Sequence, residues 1–214
     1  MRRWSLGARK VRDSKRGKGF TLIELAIALV IIGVIVGSIL KGQDLINSAK
    51  VKRFVDDLKG IETAIWTFYD KKGRLPGDCN NDGVIDYTLT TTTPTYSTST
   101  TAPTGYCDGI STSETVNTVF DELKYAELFS PTDPNSELAK HIFNGYLAIG
   151  NSNSTVNAIV AYNIPAWAAK MIDKSIDGIE NAQTGRIRRF DTTGDWPATS
   201  TTNVAIIYYF DKMP

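Results

Sequence analysis

The chain has 214 residues and a formal net charge of +1, with one histidine and two cysteines. A single histidine argues against a histidine-based nucleophilic centre, and cysteines without Cys-x-x-Cys spacing argue against a zinc site. The near-neutral total hides two unlike parts, because residues 1–19 carry eight basic side chains against one Asp and the remainder is net negative.

Residues 20–40 form an apolar run in which Glu24 is the only charged side chain. A helix of this length is roughly 30 Å long, which matches the hydrocarbon core of a bilayer. The basic segment before the run predicts a single membrane span with the rest of the chain on the non-cytoplasmic side. A carboxylate in lipid costs on the order of 3 kcal/mol, which makes Glu24 a functional candidate. The alternative is that Glu24 lies near the helix start and reaches the headgroups.

The residues at the start of the run resemble a processing motif. No Ala-x-Ala-like cleavage site follows the run closely, whereas a glycine precedes it in GFTLIE, residues 19–24. After a basic leader, this pattern resembles the cleavage and methylation motif of type IV prepilins and type II secretion pseudopilins. The resemblance implies that a prepilin peptidase removes residues 1–19 by cutting between Gly19 and Phe20. The same enzyme then methylates the new amino group of Phe20.

The resemblance also implies roles for the apolar run. Residues 20–40 anchor the subunit in the inner membrane, with the C-terminal domain in the periplasm, and later form the core of a pilus or pseudopilus. Glu24 then pairs with the N-terminal amine of a neighbouring subunit, which offsets the cost of burying either charge alone. The partners are other pilin or pseudopilin subunits, in a homo- or hetero-polymer.

Gly33 and Gly37 have the Gly-x-x-x-Gly spacing that lets two helices approach closely in apolar surroundings. Two incidental small residues would give the same spacing, and both interpretations stay open. They are candidate helix-packing positions.

A second helical pattern continues through residues 41–72. Apolar residues recur at intervals of three and four, with charged residues on the other face. This apolar stripe consists of Val51, Phe54, Leu58, Ile61, Ile65 and Phe68. The spacing fits a coiled-coil seam or a helix packed on its own domain, and the second is favoured because residues 73–214 provide such a domain. Gly73 and Pro76 predict that the helix ends near Lys72.

Cys79 and Cys107 are predicted to form a disulfide, because an exported domain folds in an oxidising compartment. Such a bond contributes about 3–4 kcal/mol by restricting the unfolded chain. Metal binding by the two cysteines and His141 is the poorer alternative.

Residues 88–104 are rich in Thr and Ser and contain two prolines. A stretch with so little apolar surface predicts an exposed loop without a core of its own. Glycosylation, or projection from a filament surface, is the functional alternative to a mobile loop.

The turn after the long helix resembles the first part of an EF-hand-type calcium loop. Oxygen-bearing residues occupy its positions 1, 3, 5 and 9, namely Asp78, Asn80, Asp82 and Asp86. Gly83 follows at position 6, and Asp108 is a further donor if the disulfide brings it near. Position 12 holds Leu89 where an acid is expected, and a turn without an ion is the alternative. Calcium is therefore the one candidate cofactor.

A narrower resemblance is carried by LPGD at residues 75–78, a turn found in a subgroup of pilin-like proteins. That subgroup also has a late Ile-Asp-x-x-Ile-Asp-Gly stretch, and MIDKSIDG at residues 171–178 is similar here. The resemblance is strongest over residues 15–80 and weaker over residues 165–190.

The remaining patterns predict an α+β domain with a mainly antiparallel sheet on which the long N-terminal helix packs, as in pilins. Apolar residues within residues 115–129 predict a helix, and Pro165 is expected to begin another that runs through Ile176. Four further segments are typical of strands, namely residues 146–149, 158–164, 186–190 and 204–210.

These features together favour a structural subunit of a filament. No enzyme is expected, because the sequence shows no phosphate loop or metal-spaced histidine pair, and His141 is predicted at the surface or boundary of a helix. The alternative is a minor pilin with an adhesive or DNA-binding role on a filament made by another subunit. Nucleic acid is not an expected partner, because the basic clusters at residues 71–74 and 186–189 lack interleaved aromatic residues.

Overall fold

The computed structural model describes residues 19–101, 107, 114–199 and 201–211. The predicted leader up to residue 18, residues 102–104 of the Thr-rich stretch and Asp108 lie outside the described residues. The chain divides into two compact units between Asp44 and Leu45. The elements in chain order are α1 (Leu22–Lys72), α2 (Thr118–Tyr125), α3 (Asn135–Leu138), β1 (Leu147–Ser152), β2 (Val156–Pro165), α4 (Ala166–Asp177), β3 (Ile187–Arg189) and β4 (Asn203–Tyr209).

The first unit consists of the apolar part of α1. Every residue from 19 to 41 is exposed, including the leucines, isoleucines and valines of the run. Among the described residues, α1 is the one helix long and apolar enough to cross a membrane. An exposed apolar surface of this kind marks a contact with lipid or with other apolar surfaces.

The second unit begins within α1 and uses the predicted apolar stripe. All six residues of the stripe are buried, together with Val55, and they share one hydrophobic core with the sheet. This confirms the interpretation of a helix packed on its own domain. The helix ends where Gly73 adopts a φ of +76° and donates its N–H to Tyr69 O at 2.7 Å.

The four strands form one antiparallel sheet in the order β1-β2-β4-β3. Each predicted strand is present, with ends that differ by a few residues. In β2 the burial is continuous up to Tyr162, so both faces of the sheet are covered. A bulge between Ala161 and Ile164 contains Asn163, whose φ is +62°. The α+β class and the pilin-like combination of a long helix with an antiparallel sheet are thereby confirmed.

The Thr-rich stretch, described here over residues 88–101, contacts the outer edge of β1 at two places. Leu89 and Tyr96 are buried. The Leu89 N–H donates to Asn151 O at 2.9 Å, and the Tyr96 hydroxyl donates to Leu147 O at 2.5 Å. The prediction of an exposed loop is therefore wrong at these two residues, because two apolar side chains suffice to anchor a polar segment to a sheet edge.

Two further predictions need correction. α2 is shorter than the predicted residues 115–129, because Glu127 adopts a φ of +58° and the Leu128 N–H returns to Leu123 O at 2.9 Å. This is the bond pattern of a Schellman helix end, with Glu127 in the place usually held by glycine. His141 follows α3 rather than lying on a helix, and it is buried rather than at the surface.

Candidate functional site

The first turn of α1 is closed by a reciprocal pair between Thr21 and Glu24. Glu24 Oε2 accepts the Thr21 N–H and the Thr21 hydroxyl, both at 2.8 Å, and Thr21 Oγ1 accepts the Glu24 N–H at 3.3 Å. This arrangement is a capping box, which satisfies helix-start N–H groups that have no helical partner. Thr21 is a residue that the apolar pattern misses, and the Thr-x-x-Glu spacing is the signal that identifies it.

Glu24 keeps one oxygen for another donor. Both bonds from Thr21 use Oε2, and Oε1 accepts no hydrogen bond from the part of the chain that the structure describes. The side chain is exposed and lies in the first helical turn, where the helix dipole favours a negative charge. The carboxylate is therefore fixed in place and still able to receive a cation.

Gly19 and Phe20 precede the helix, and the Phe20 residue is 90% exposed. The peptide bond between them consequently lies outside the helical hydrogen-bond ladder. Exposed chain outside regular secondary structure is where proteolytic cleavage concentrates. The geometry is compatible with processing at this bond, which stays a prediction.

Gly33 and Gly37 lie on the exposed apolar part of α1. Outside the helix's own backbone, no described atom lies within 4 Å of the position that a Cβ would occupy at either glycine. The helix surface is shallow there, which is the property that lets a second helix approach. Their packing role stays a prediction.

A buried ion pair fixes the turn that follows α1. Glu122 of α2 accepts two bonds from the Arg74 guanidinium, Nη1 to Oε2 at 2.8 Å and Nη2 to Oε1 at 2.5 Å. The Gly77 N–H also donates to Glu122 Oε2, at 2.7 Å. Gly77 has a φ of +79°, and a Cβ there would meet a Val119 methyl at 2.8 Å, so this position requires glycine. The LPGD turn thus docks the end of α1 onto α2.

The candidate calcium turn is organised around Asp78, which is fully buried. Asp78 Oδ1 accepts the Asp82 N–H at 3.1 Å, and Oδ2 accepts the Gly83 N–H at 2.9 Å. Burial raises the pKa of Asp78, while the amides of Gly83 and Asp82 act against that rise. Gly83 adopts a φ of +85°, which allows the sharp turn.

The other predicted oxygen donors lie beside each other in this turn. Asn80 Nδ2 donates to Asp82 Oδ2 at 3.1 Å and to Asp86 Oδ1 at 3.2 Å. Asp86 Oδ2 accepts the Cys79 N–H at 2.8 Å. The structure therefore brings the four predicted residues together, with the polar amide of Asn80 between two carboxylates.

Glu114 approaches the same turn from a distant part of the chain. Its Oε1 is buried and has no hydrogen-bond partner among the described residues. A carboxylate oxygen of Glu114 and one of Asp86 lie within 4.8 Å of each other, and Cys79 Sγ lies within the same distance. Glu122 raises the pKa of Arg74, and the nearby charges of Asp78 and Glu114 raise it further. The Arg74 guanidinium itself is bound to Glu122. No local spacing connects Glu114 to the turn, so the sequence pattern misses it.

The disulfide between Cys79 and Cys107 is present, as predicted. Because Cys79 also donates its N–H to Asp86, the bond fixes the backbone of the candidate calcium turn. The disulfide sulfur of Cys79 is not a thiolate and does not serve as a metal ligand. Asp108, the further predicted donor, is outside the described residues.

His141 serves the hydrophobic core. Nε2 lies 2.9 Å from Tyr162 O and therefore carries the proton, while Nδ1 accepts the Phe143 N–H at 3.2 Å. Its ring packs edge-on against Phe54, with 5.4 Å between the centroids. Burial lowers the pKa of His141 to about 4, so the imidazole is neutral at pH 7. Both ring nitrogens are therefore engaged in hydrogen bonds with the backbone.

The arginines weighed for nucleic-acid contact are engaged within the domain. Arg74 binds Glu122, and Arg189 Nε lies 2.9 Å from Asp191 Oδ1. Arg186 donates to two backbone carbonyls and lies 3.6 Å from Glu62. The guanidinium groups of these three arginines are therefore held by partners within the same domain.

Comparisons with known proteins agree with the N-terminal features. Residues 14–40 match the family model of the prokaryotic N-terminal methylation motif. The chain is also similar to Fimbrial protein Q of Moraxella bovis, with 39% identity over 77 residues, which is 35% of this chain and 49% of that protein. The chain thus spans about half the length of that relative. No solved structure matches the chain.

Proposed function

We propose that this chain is a type IV pilin-like structural subunit, cleaved after Gly19, methylated at the amino group of Phe20 and assembled into a filament. The observation that carries the proposal is the match of residues 14–40 to the methylation motif, joined to an exposed apolar helix in which Glu24 is the only charge before Lys41. Fimbrial protein Q is by its name a fimbrial protein, which favours a pilus over a secretion pseudopilus. The partners are then a prepilin peptidase, the inner membrane and other pilin subunits.

The two units suit the two stages of a pilin-like subunit, which is first held in the membrane and then assembled into a filament. The apolar unit anchors the chain in the inner membrane before assembly, and the second unit folds in the periplasm. The Cys79–Cys107 disulfide supports an oxidising compartment for that unit. The same apolar surface is then transferred from lipid to a filament core of packed helices.

Glu24 sets the register of this assembly. Cleavage places a positive amine at Phe20, and an unpaired carboxylate in an apolar core costs several kcal/mol. Oε2 is retained by Thr21 through the capping box, and Oε1 is the oxygen available to the amine of a neighbouring subunit. A subunit is therefore expected to enter the filament only in the position where the Glu24 carboxylate meets the Phe20 amine of a neighbouring subunit.

Substituting Glu24→Gln separates the charge of Glu24 from its capping role. Glutamine keeps the size of the side chain and completes a capping box, but it forms no ion pair. We expect the variant to insert and to be cleaved like the wild type, and to fall at least about tenfold in sheared filaments, which corresponds to about 1.4 kcal/mol. Immunoblots of the membrane and filament fractions measure both quantities.

Thr21→Val is the matched control, because it removes the capping hydroxyl and leaves the charge. It is expected to enter filaments at close to the wild-type level. Wild-type incorporation of the Glu24→Gln variant would contradict the pairing role. Loss of incorporation in Thr21→Val alone would identify the helix cap, rather than the charge, as the feature that assembly needs.

A minor pilin with an adhesive role is the second candidate, and one observation favours it. Residues 91–93 and 98–101 are exposed, while Leu89 and Tyr96 hold the segment against β1. A fixed surface rich in hydroxyl groups can contact a partner or carry glycans. Abundance separates the two roles, because a major subunit dominates its filament and a minor subunit is a trace component.

We also propose that the turn of residues 78–86 binds Ca²⁺. The ligands are the predicted Asp78, Asn80, Asp82 and Asp86, with Glu114 added. An oxygen-only donor set suits a hard cation, and Gly83 provides the turn that such loops use. The buried Oε1 of Glu114 without a partner supports the proposal, as does the commitment of Arg74 to Glu122, which leaves this negative charge without a free cation in the described chain.

Titration of the full-length chain in detergent tests the calcium proposal. We expect calorimetric binding of Ca²⁺, a rise in the unfolding temperature and weaker binding of Mg²⁺, which prefers fewer protein ligands. Glu114→Gln is expected to weaken Ca²⁺ binding about tenfold or more. Glu137→Gln, which alters an exposed carboxylate outside the turn, should leave the affinity unchanged. The absence of both binding heat and a shift in unfolding temperature at about 10 mM Ca²⁺ would contradict the proposal.

A further inference from the structure

Asp173 and Asp177 lie one turn apart at the end of α4, in the segment MIDKSIDG. Asp173 is completely buried, and its Oδ2 accepts the Asn181 N–H at 2.7 Å and the Trp196 Nε1–H at 2.9 Å. Its Oδ1 is buried and accepts no hydrogen bond within the described residues. An ionised oxygen in that position is costly, because it has lost water and gained no donor.

Asp177 has both oxygens occupied by the backbone that leads into β3. Oδ1 accepts the Arg186 N–H at 3.0 Å, and Oδ2 accepts the Ile187 N–H at 2.8 Å. β3 is an edge strand, so Asp177 satisfies a backbone donor that no neighbouring strand reaches. The two aspartates together attach the segment of residues 178–196 to the end of α4.

We propose that Asp173 and Asp177 share one proton, held on Asp173 Oδ1 and donated to Asp177, and that loss of this proton loosens the attachment of residues 178–196. A protonated Asp173 gives its Oδ1 the hydrogen-bond partner that it lacks as a carboxylate. Asp177 follows Asp173 by four residues on α4, a spacing at which two side chains on a helix are neighbours. The two carboxyl groups therefore fit as an acid and its conjugate acceptor, as in other carboxyl pairs.

The electrostatic surroundings agree with this arrangement. Burial raises the pKa of Asp173 to about 6, against the bonds from Trp196 and Asn181, and Asp177 acts in the same direction as burial. The titratable groups on the neighbouring elements are Tyr162 on β2, Arg188 and Arg189 on β3, Tyr208 and Tyr209 on β4, Lys170 and Lys174 on α4, and Glu180, Arg186, Asp191 and Asp195 between residues 178 and 196. No cation among them forms an ion pair with Asp173 or Asp177 within the described chain.

The sign of the expected pH dependence follows from the two states. The pKa of Asp173 is about 6 in the folded chain and about 3.9 when unfolded, so its protonation stabilises the fold at low pH. This contribution is lost as the pH rises from about 4 to 6, with up to about a hundredfold rise in the unfolding equilibrium constant. His141 acts with the opposite sign in a similar window, since burial lowers its pKa to about 4. Comparing the wild type with Asp173→Asn therefore isolates the contribution of Asp173 better than the pH dependence of wild-type stability does.

The test uses the full-length chain in detergent and the variant Asp173→Asn. The asparagine amide is neutral at every pH, donates to Asp177 as the acid does, and accepts from Trp196 and Asn181. In the wild type, hydrogen exchange of peptides within residues 178–196, corrected for the intrinsic rate, is expected to accelerate about tenfold or more between about pH 4.5 and 7. In Asp173→Asn it should stay slow, and peptides from residues 51–68 of α1 serve as the internal reference.

A ¹³C-carboxyl titration of aspartate-labelled wild-type chain provides the second measurement. A midpoint near 6 at Asp173 supports the shared proton, and a midpoint near 4 overturns it. Retention of the pH-dependent exchange in Asp173→Asn also overturns it. Asp177→Asn, which loses one of two backbone acceptors, should accelerate exchange at every pH. If Asp173→Asn does not fold, the carboxyl titration decides by itself.

Discussion

At the scale of single residues, the surroundings of each carboxylate determine its role. Glu24 is exposed, closes a helix start with one oxygen and has the other available. Asp78 is buried and held by the amides of its own turn. Glu122 is buried and forms an ion pair with Arg74. Asp173 is buried, and one of its oxygens has no hydrogen-bond partner in the described chain. The same functional group thus serves capping, turn formation, ion pairing and proton sharing.

Glu122 supports a prediction about stability. In Glu122→Gln the guanidinium of Arg74 loses its anionic partner in a setting where the Glu122 side chain is only 5% exposed. Breaking a buried pair from one side costs about 3–5 kcal/mol, and the Gly77 N–H contact is weakened as well. We expect the free energy of unfolding to fall by about 2–4 kcal/mol, measured by urea unfolding of the full-length chain in detergent.

Glu137→Gln is the matched control for this measurement. Glu137 pairs with Lys140 at 2.9 Å, but the two side chains are 60% and 43% exposed. Exposed pairs contribute about 0–1 kcal/mol, because water and salt screen them. Equal effects of the two substitutions would show that the Arg74–Glu122 pair does not fix the turn after α1.

At the scale of elements, local apolar patterns predicted most of the fold. Short runs rich in apolar, β-branched and aromatic residues predicted all four strands, and the three-and-four spacing from Val51 to Phe68 predicted the buried face of α1. The runs succeed because a sheet covered on both faces buries successive residues, and the spacing succeeds because one face of a helix recurs every three or four residues. The two errors at Glu127 and in the Thr-rich stretch have local causes. The sequence does not signal the helix end at Glu127, because glycine usually occupies that position of a Schellman motif. In the Thr-rich stretch, Leu89 and Tyr96 are two isolated residues in a polar segment, so they form no pattern that predicts their burial.

In the candidate sites, contacts between residues near in sequence were predictable, whereas contacts between residues far apart in sequence were not. Residues within one turn, such as Asn80 and Asp86 or Thr21 and Glu24, are close in sequence, and their spacing determines that they meet. Glu114 and His141 reach their positions through tertiary packing. A local pattern does not reveal that Glu114 approaches Asp86, or that the imidazole of His141 lies against Phe54. Long-range placement of single polar residues is therefore what the sequence leaves open.

At the scale of the whole molecule, one chain combines two units with opposite needs. The first exposes a continuous apolar helix surface that needs lipid or other helices around it. The second buries its own core and carries the disulfide, the acidic turn and the aspartate pair. A chain of this kind suits a subunit that is stored in a membrane and then built into a polymer.

The most direct test of this account is the intact mass of the chain in filaments sheared from the surface of the cell that makes it. We expect a mass equal to residues 20–214 with one added methyl group and two hydrogens lost to the disulfide. That single value reports cleavage at Gly19, methylation of Phe20, the Cys79–Cys107 bond and presence in a filament. A chain of full length that retains residues 1–19 and is found only in the membrane would contradict the account.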